Sequence, residues 1–292
     1  MENSNLLWAL EENAFSQMVV NQQSRALAGH RRRQTITQRV GGIAIIYAEG
    51  VLSPAGEYGG GSLQEIAEAV RDAAADPNIT AIVLGISSPG GTVVGTLECG
   101  NAIFEARAAK PIVAQVSSMA ASAAFWLASQ CHSVVAGPLD LVGSIGVFSI
   151  LHDRSEAFKT AGIRPVILRS GQHKGVGVPG APVTDAQAEH LQSLVNEAHA
   201  AFVAVVVKGR GASASKVASW ADGRAWHGAT AKTMGMVDGV QSIETTLAVL
   251  TRQQHDEQRA CAAPQRNSPT RGRSTATPRP DLRQAAQRSY NQ

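Results

Sequence analysis

The sequence contains little of what marks a disulfide-stapled, metal-binding or membrane-spanning protein. Its 3 cysteines are odd in number and widely spaced, which predicts neither a disulfide framework nor a metal site. We expect these thiols to stay reduced, as in a cytosolic protein. No stretch approaches the roughly 18 consecutive apolar residues of a membrane helix. The N-terminal stretch MENSNLLWALEENAFSQM carries acids instead of the basic start of a signal peptide. The sequence therefore predicts a soluble, cytoplasmic chain with no membrane span.

Aromatic residues are also scarce, at 4%, while hydrophobic residues make up 44% of the chain and charged residues 17%. These values are typical of a globular protein, here one in which small residues pack helices on a sheet. The net charge of +3 is too small to predict a polyanionic partner, so we expect no nucleic acid. Arginine is concentrated at His30–Gln34 and after Arg252. We interpret both regions as solvated arms, with nucleic-acid or scaffold contacts as the alternative.

Three regions follow one another along the chain. Residues 1–40 predict an amphipathic arm, because apolar residues recur there at near-helical spacing. Residues 41–250 alternate short apolar runs with helical ones and predict the folded domain. Residues 251–292 are polar and rich in arginine and proline, and we predict that they are disordered because they can bury little apolar surface.

The middle region predicts an α/β fold. Continuous apolar runs at 42–52, 81–87, 111–117 and 133–137 are typical of strands that are covered on both faces. Helical periods lie between them, at 62–76 and 95–109, and Ser62 with Glu65 forms a capping-box pattern. Such alternation indicates right-handed βαβ units and a mostly parallel sheet flanked by helices. A further strand is predicted at 164–170, followed by helices at 184–208, 213–221 and 230–234.

The stretch Ser88–Gly91, SPGG, follows the strand at 81–87. Proline followed by two glycines lets the backbone turn sharply and expose N–H groups where a helix begins. In an open α/β sheet this loop lies at the carboxyl end of a strand, where ligands bind. Its amides could stabilise an oxyanion. An ordinary strand-to-helix turn is the alternative.

The stretch SSMAASAAFWLAS, Ser117 to Ser129, predicts the start of a buried helix and places Ser122 in its first turns. A serine there can act as a nucleophile, or it can simply pack closely and bond a backbone carbonyl. No G-x-S-x-G elbow surrounds Ser122. A Ser-His-Asp triad stays open, since its members meet only in space. Its histidine could be His132, His152 or His173.

Lys174 is the alternative base. It lies in a glycine-rich loop that follows the predicted strand at 164–170. Lysine serves as a general base in Ser-Lys hydrolases, where the surroundings favour the neutral amine. A solvated loop lysine is the competing interpretation.

Four motifs follow one another along the chain: ISSPGG with Gly90 and Gly91, SMAASAAFWLAS with Ser122, VGSIGV with Ser144, and SGQHKGVGVP with Lys174. In this order they resemble the signal peptide peptidase A (SppA) family, the S49 serine peptidases. A fifth stretch, DGRAWHGATAKTMGMVDGV at 222–240, resembles a motif near the end of the family's domain, so the resemblance covers about 41–250.

The resemblance implies a ClpP/crotonase-like α/β spiral and a Ser-Lys dyad without metal or cofactor. It implies that Ser122 is the nucleophile, that Lys174 is the general base and that Ser144 orients the lysine. Gly90 and Gly91 match the glycines of the oxyanion hole. In the family the site forms where subunits or tandem halves meet, so the resemblance implies a homo-oligomer whose sites lie at subunit interfaces.

The Ala-Ala pair after Ser122, the expected absence of a membrane anchor and the short single-domain length resemble the family's phage branch, the prohead or capsid-maturation proteases. Ala123 and Ala124 stand where many members have two glycines, and Gly175 stands where many have aspartate. This branch implies scaffold or capsid polypeptides as substrates, portal and capsid proteins as partners, and a place in host cytoplasm or a procapsid. The alternatives are an SppA-like peptidase that degrades signal peptides, a catalytically silent capsid or scaffold-binding component, and an acyl-CoA enzyme of the crotonase type.

Overall fold

The apolar runs of the middle region form the strands of a central sheet. The computed structural model describes residues 7–10 and 37–262, and the elements below belong to these residues. The strands are β1 Trp8–Leu10, β2 Thr37–Val40, β3 Ile43–Glu49, β4 Ala81–Ser88, β5 Gly90–Thr92, β6 Ile112–Ala121, β7 Ser133–Ala136, β8 Leu141–Gly143, β9 Ala225–His227 and β10 Gly239–Val240.

Helices connect the strands and begin where the sequence offers caps. Ser62 Oγ accepts the Glu65 N–H at 3.3 Å, and Thr184 forms a full capping box with Gln187. Among the described residues, no helix combines the length and apolarity needed to cross a membrane. The helices are α1 Leu63–Ala75, α2 Thr96–Ala106, α3 Ala123–Ser129, α4 Ser155–Thr160, α5 Asp185–Arg210, α6 Ala214–Ala218, α7 Gly228–Met234 and α8 Ile243–Ala262.

The main sheet has the strand order β10-β7-β6-β4-β3-β2, and β2 is the antiparallel strand in this row. Beyond residue 118, β6 leaves β7 and pairs in parallel with β8, which pairs antiparallel with β9. Helices α1, α2, α3 and α5 bury their apolar sides on one face, and α8 covers the other through Leu250. The predicted α/β fold, with a mostly parallel sheet flanked by helices, is confirmed.

The C-terminal boundary of the folded domain was predicted too early. Helix α8 continues to Ala262, so the first residues of the predicted disordered tail are helical. Leu250 anchors the helix in the core, and Gln254 donates a hydrogen bond to Thr80 Oγ1 one turn later. Composition alone hides this anchoring, because two contacts are enough to extend a helix that has already begun. Residues 263–292 of the predicted tail lie outside the described residues.

Two further expectations fail for the same reason, which is strand pairing. The arm was predicted as helical, yet residues 8–10 form β1 because they pair with β5; residues 11–36 lie outside the described range. Residues 164–170 were predicted as a strand, yet they pair with no strand in the described part of the chain. Val166 and Leu168 there are 75% and 93% exposed. A strand depends on a neighbouring edge, which a local pattern does not reveal.

Candidate active site

Ser122 lies at a sharp turn between the central strand β6 and helix α3. Its φ of 54° and ψ of −120° are rare for any residue other than glycine. The helix was predicted from Ser117, but residues 117–121 continue the strand because Ala121 pairs with Gly143 on β8. This strand–turn–helix geometry is that of a nucleophile elbow, although the flanking residues are alanines and not glycines. The turn presents Ser122 at the carboxyl end of a central parallel strand.

The segment that follows β8 wraps around Ser122. The Ser122 N–H donates to the Gly143 carbonyl at 2.7 Å, and Ser122 Oγ lies 3.4 Å from the Gly146 carbonyl oxygen. Ser144, between these two glycines, also has a positive φ of 51°, and its N–H donates to Arg224 O at 2.8 Å. The structure therefore places Ser144 on the segment that wraps around Ser122, and it leaves the Ser122 hydroxyl only weakly held.

Strand β5 borders the same site, because α3 packs against it. The backbone of Leu52 forms hydrogen bonds with one edge of β5. Its N–H donates to Gly90 O at 2.8 Å, and its carbonyl accepts the Thr92 N–H at 2.9 Å. Because neighbouring residues of a strand point their backbone groups in opposite directions, the Gly91 N–H faces away from Leu52. A Cβ on Gly91 would lie 1.7 Å from Leu52 O, so this close approach requires glycine. The Gly90 N–H donates to Ser88 Oγ at 3.1 Å.

The three candidate histidines lie away from Ser122. His132 Nδ1 accepts the Ile112 N–H at 3.0 Å, at the first residue of β6, whereas Ser122 follows the last one. Ten residues of strand, about 30 Å, separate these two points. His152 and His173 are exposed on the segment 150–184. In residues 7–10 and 37–262, none of the three bonds to Ser122, so the site offers no Ser-His pair.

Lys174 is exposed and does not reach Ser122 within one chain. Its N–H donates to Gly171 O at 2.9 Å, and its ammonium makes no hydrogen bond or ion pair with any described residue. The lysine lies on an extension, residues 150–184, that contributes almost nothing to the core; helix α4 within it buries no residue. The single chain therefore assembles Ser122, Ser144 and the β5 glycines and holds Lys174 apart.

Asp153 closes the two ends of this extension. Its carboxylate accepts the Ser155 N–H at 2.9 Å and the Val183 N–H at 3.1 Å. Hydrogen bonds from Ser155, and then from Val183, lower the pKa of the Asp153 carboxyl below its ordinary value. The ionised carboxylate is the form that holds the extension together.

Sequence analysis missed a neighbour of the site, the segment around Trp8. The pairing of β1 with β5 brings this segment from the N-terminus to the glycines of the SPGG loop. The spacing of apolar residues favoured a helix there, and no local signal marks a three-residue strand. Long-range pairing of this kind has no signature in the sequence of either partner.

Comparisons with known proteins show which family this chain resembles in sequence. The model of peptidase family S49 matches residues 105–256, just over half of the chain. The matched region includes Ser122, Ser144 and Lys174, whereas Gly90 and Gly91 precede it.

Relatives extend the similarity beyond the matched region. Protease 4 of Salmonella typhi is 29% identical over 213 residues, which cover 71% of this chain and 34% of that protein. The head-tail preconnector protein GP5 of Enterobacteria phage P21 is 25% identical over 249 residues, which cover 82% of this chain and 48% of that protein. The chain thus spans half or less of the length of either relative.

Among solved structures, an enoyl-CoA hydratase/isomerase from Marinobacter aquaeolei aligns with a TM-score of 0.47 at 15% identity, covering 78% of each chain. The family match, over a region that carries the elbow serine, shows that the chain belongs to peptidase family S49, a family of serine peptidases.

Proposed function

We propose that this chain is a serine endopeptidase that cleaves extended polypeptide segments with a Ser122–Lys174 dyad. The observation that carries the proposal is the strained turn at Ser122, which presents a hydroxyl at the carboxyl end of β6 beside the glycines of β5. Backbone strain of this kind persists where the surrounding structure enforces it, and it clusters at active sites. A serine that served only for packing would gain nothing from it.

In the reaction that we propose, Lys174 comes from a neighbouring copy of the chain. The amine of Lys174 takes the proton from Ser122 Oγ, which attacks the carbonyl carbon of the scissile peptide bond. The Gly91 amide, which faces away from Leu52, donates to the oxyanion. The Gly90 N–H points to the opposite edge of β5 and bonds Ser88 Oγ, so Gly90 contributes its φ of 108°, which lets the backbone turn there. The C–N bond then breaks, the lysine proton passes to the leaving amine, and water releases the acyl group from Ser122. Ser144 orients the lysine.

The exposure of Lys174 supports a site shared between copies of the chain. The lysine lies on the 150–184 extension, outside the core that holds Ser122. The C-terminal half of α5 fixes the base of the extension, since Phe202 stacks on Trp126 of α3 at 4.7 Å. We propose a homo-oligomer in which each extension delivers Lys174 to the Ser122 of a neighbouring copy.

The biological role that fits best is the maturation of a phage capsid. The phage P21 relative aligns with 82% of this chain, more than the 71% of the protease 4 alignment. We propose scaffold or capsid proteins as substrates, portal and capsid proteins as partners, and host cytoplasm or the procapsid as the place of action. The second candidate, degradation of signal peptides, is favoured by the similarity to protease 4.

Mixing two inactive variants tests the dyad and the shared site together. We expect Ser122→Ala and Lys174→Ala each to lose peptide hydrolysis by at least about a thousandfold. Refolded together in equal amounts, they should recover about a quarter of wild-type activity, because a heterologous interface then pairs an intact serine with an intact lysine. Ser118→Ala is the matched control, since Ser118 also has a positive φ but lies outside the turn.

The possible results separate the alternatives. A mixture that stays inactive beside an active wild type would show that serine and lysine act within one copy. Wild-type and Ser122→Ala chains that leave co-expressed scaffold and capsid proteins with identical masses would contradict the capsid-protease role. Turnover of an acyl-CoA thioester by both chains would replace the peptidase proposal altogether.

A further inference from the structure

The chain's own N-terminal segment lies on the oxyanion side of β5. Strand β1 pairs antiparallel with β5, in a register that places Trp8 opposite Thr92, residue 9 opposite Gly91 and residue 10 opposite Gly90. The Val93 N–H donates to Leu7 O at 3.1 Å. The segment therefore covers the edge of β5 that faces away from Leu52, which is the edge that carries the Gly91 N–H.

A second backbone holds the segment from the other side. The Trp8 N–H donates to Phe148 O at 2.9 Å, and the Phe148 N–H donates back to Trp8 O at 3.0 Å. Phe148 lies just beyond Gly146, whose carbonyl is next to Ser122 Oγ. Residues 7–10 are thus the middle strand of a three-stranded arrangement whose two outer edges both belong to the Ser122 site.

The Trp8 side chain fills a pocket in this groove. It is only 4% exposed, and its ring meets the Tyr58 ring edge-on, with centroids 5.1 Å apart. Burial of an indole of this size contributes more to holding a short strand than three or four backbone hydrogen bonds do. The pocket selects for a large aromatic side chain, and the two edges select for an extended backbone.

We propose that residues 7–10 are an intramolecular ligand of the substrate groove, with Trp8 as its anchor. The inference rests on the proposed function for the identity of the groove. Any extended polypeptide that pairs with both β5 and Phe148 must displace the segment, because each of these edges accommodates one neighbouring strand. The segment therefore competes with substrates, and the substrates that compete best carry a large aromatic residue at the Trp8 position.

Peptide binding to a chain that cannot cleave tests this proposal. The probe is a fluorescently labelled peptide with the sequence of residues 4–13, titrated by anisotropy into the full chain carrying Ser122→Ala. Two further changes in that chain weaken the internal segment independently. Trp8→Gly empties the pocket, and Ala9→Pro removes a backbone N–H and disfavours pairing with β5 without changing Trp8.

Both changes should lower the Kd of the added peptide by at least about tenfold, because they remove a competitor that is present at high effective concentration. A probe whose tryptophan is replaced by glycine should bind at least about tenfold more weakly. An unchanged Kd for both variants, with circular dichroism showing them folded, would overturn the proposal, and so would equal binding of the two probes.

If wild type cleaves a generic peptide and these variants show no competition, the inference alone fails. If competition is found and no hydrolysis, the proposed peptidase activity alone fails.

Discussion

The Ser122 N–H donates a 2.7 Å hydrogen bond to the Gly143 carbonyl, and both residues have positive φ angles, 54° and 117°. This bond joins the turn after β6 to the end of β8, two places where the backbone leaves its ordinary conformation. Because Gly143 lacks a side chain, it accepts its φ without cost, whereas Ser122 is strained. The position of Ser122 is thus fixed by its backbone.

The strain at Ser122 predicts an unusual order of stability. We expect Ser122→Gly to be more stable to urea than Ser122→Ala by about 1 kcal/mol, since only glycine relaxes at this φ. Both variants lack the hydroxyl and should be inactive. Ala69, in the middle of α1, is the matched control, because glycine costs about 1 kcal/mol relative to alanine inside a helix. The same order of stability at both positions would show that Ser122 is not strained.

The close approach of Gly91 to Leu52 predicts that β5 accepts no larger residue at position 91. Gly91→Ala places a Cβ 1.7 Å from Leu52 O, so β5 must move away from Leu52. We expect a loss of more than about 3 kcal/mol in the free energy of unfolding, measured in urea. Gly146→Ala is the control near the same site, because its Cβ would meet its nearest atom at 3.5 Å, an ordinary contact. A Gly91→Ala chain as stable as Gly146→Ala would contradict the geometry of β5.

The hydrogen bonds of Asp153 predict that low pH loosens the extension that carries Lys174. The pKa of its carboxyl is lowered from the ordinary 3.8 in the folded chain by hydrogen bonds from Ser155 and Val183. Its stabilising contribution is therefore complete above 3.8 and is lost as the pH falls through the folded-state pKa.

Hydrogen exchange within residues 150–184 measures this effect. In wild type, the protection of the Ser155 and Val183 amides, relative to intrinsic exchange, should decrease as the pH is lowered. In Asp153→Asn it should be low and nearly independent of pH. Equal protection in the two chains at neutral pH would show that the carboxylate does not hold the extension.

The two described free cysteines should be inert in the folded chain. Burial raises the pKa of the Cys99 and Cys131 thiols to about 12, so the reactive thiolate is almost absent near pH 8. Alkylation at pH 8 followed by peptide mass spectrometry should label neither residue in the native protein and both in urea. Native labelling of either one would show that the core beneath α3 opens readily.

The register of the N-terminal segment predicts a cleavage position. Residue 9 stands opposite Gly91, so the carbonyl of the residue at this position lies nearest the proposed oxyanion donor. We expect wild type to cleave the peptide of residues 4–13 between its alanine and the following leucine, with fragments identified by mass. The Ser122→Ala chain should release no fragments. A main cut at another bond would show that substrates bind in a different register.

The sequence by itself determined the layers of this protein. Apolar runs such as Ala81–Ser88 and caps such as Thr184 report local preferences, and these agree with the sheet and helices of the structure. The ordered motifs also singled out Ser122, Ser144 and the glycines of β5, which the fold brings to one place. Patterns of this kind predict local structure because burial and helix capping depend on residue type and spacing.

Only the tertiary structure decided which strands pair with each other and which residues lie beside Ser122. Residues 117–121 and Trp8–Leu10 form strands because β8 and β5 offer edges to them, and residues 164–169 do not because the described chain offers none. The positive φ of Ser122 follows from the same pairing, since β8 holds the strand until Ala121 and the helix must begin at once. Pairing depends on residues distant in sequence, so no local pattern contains it.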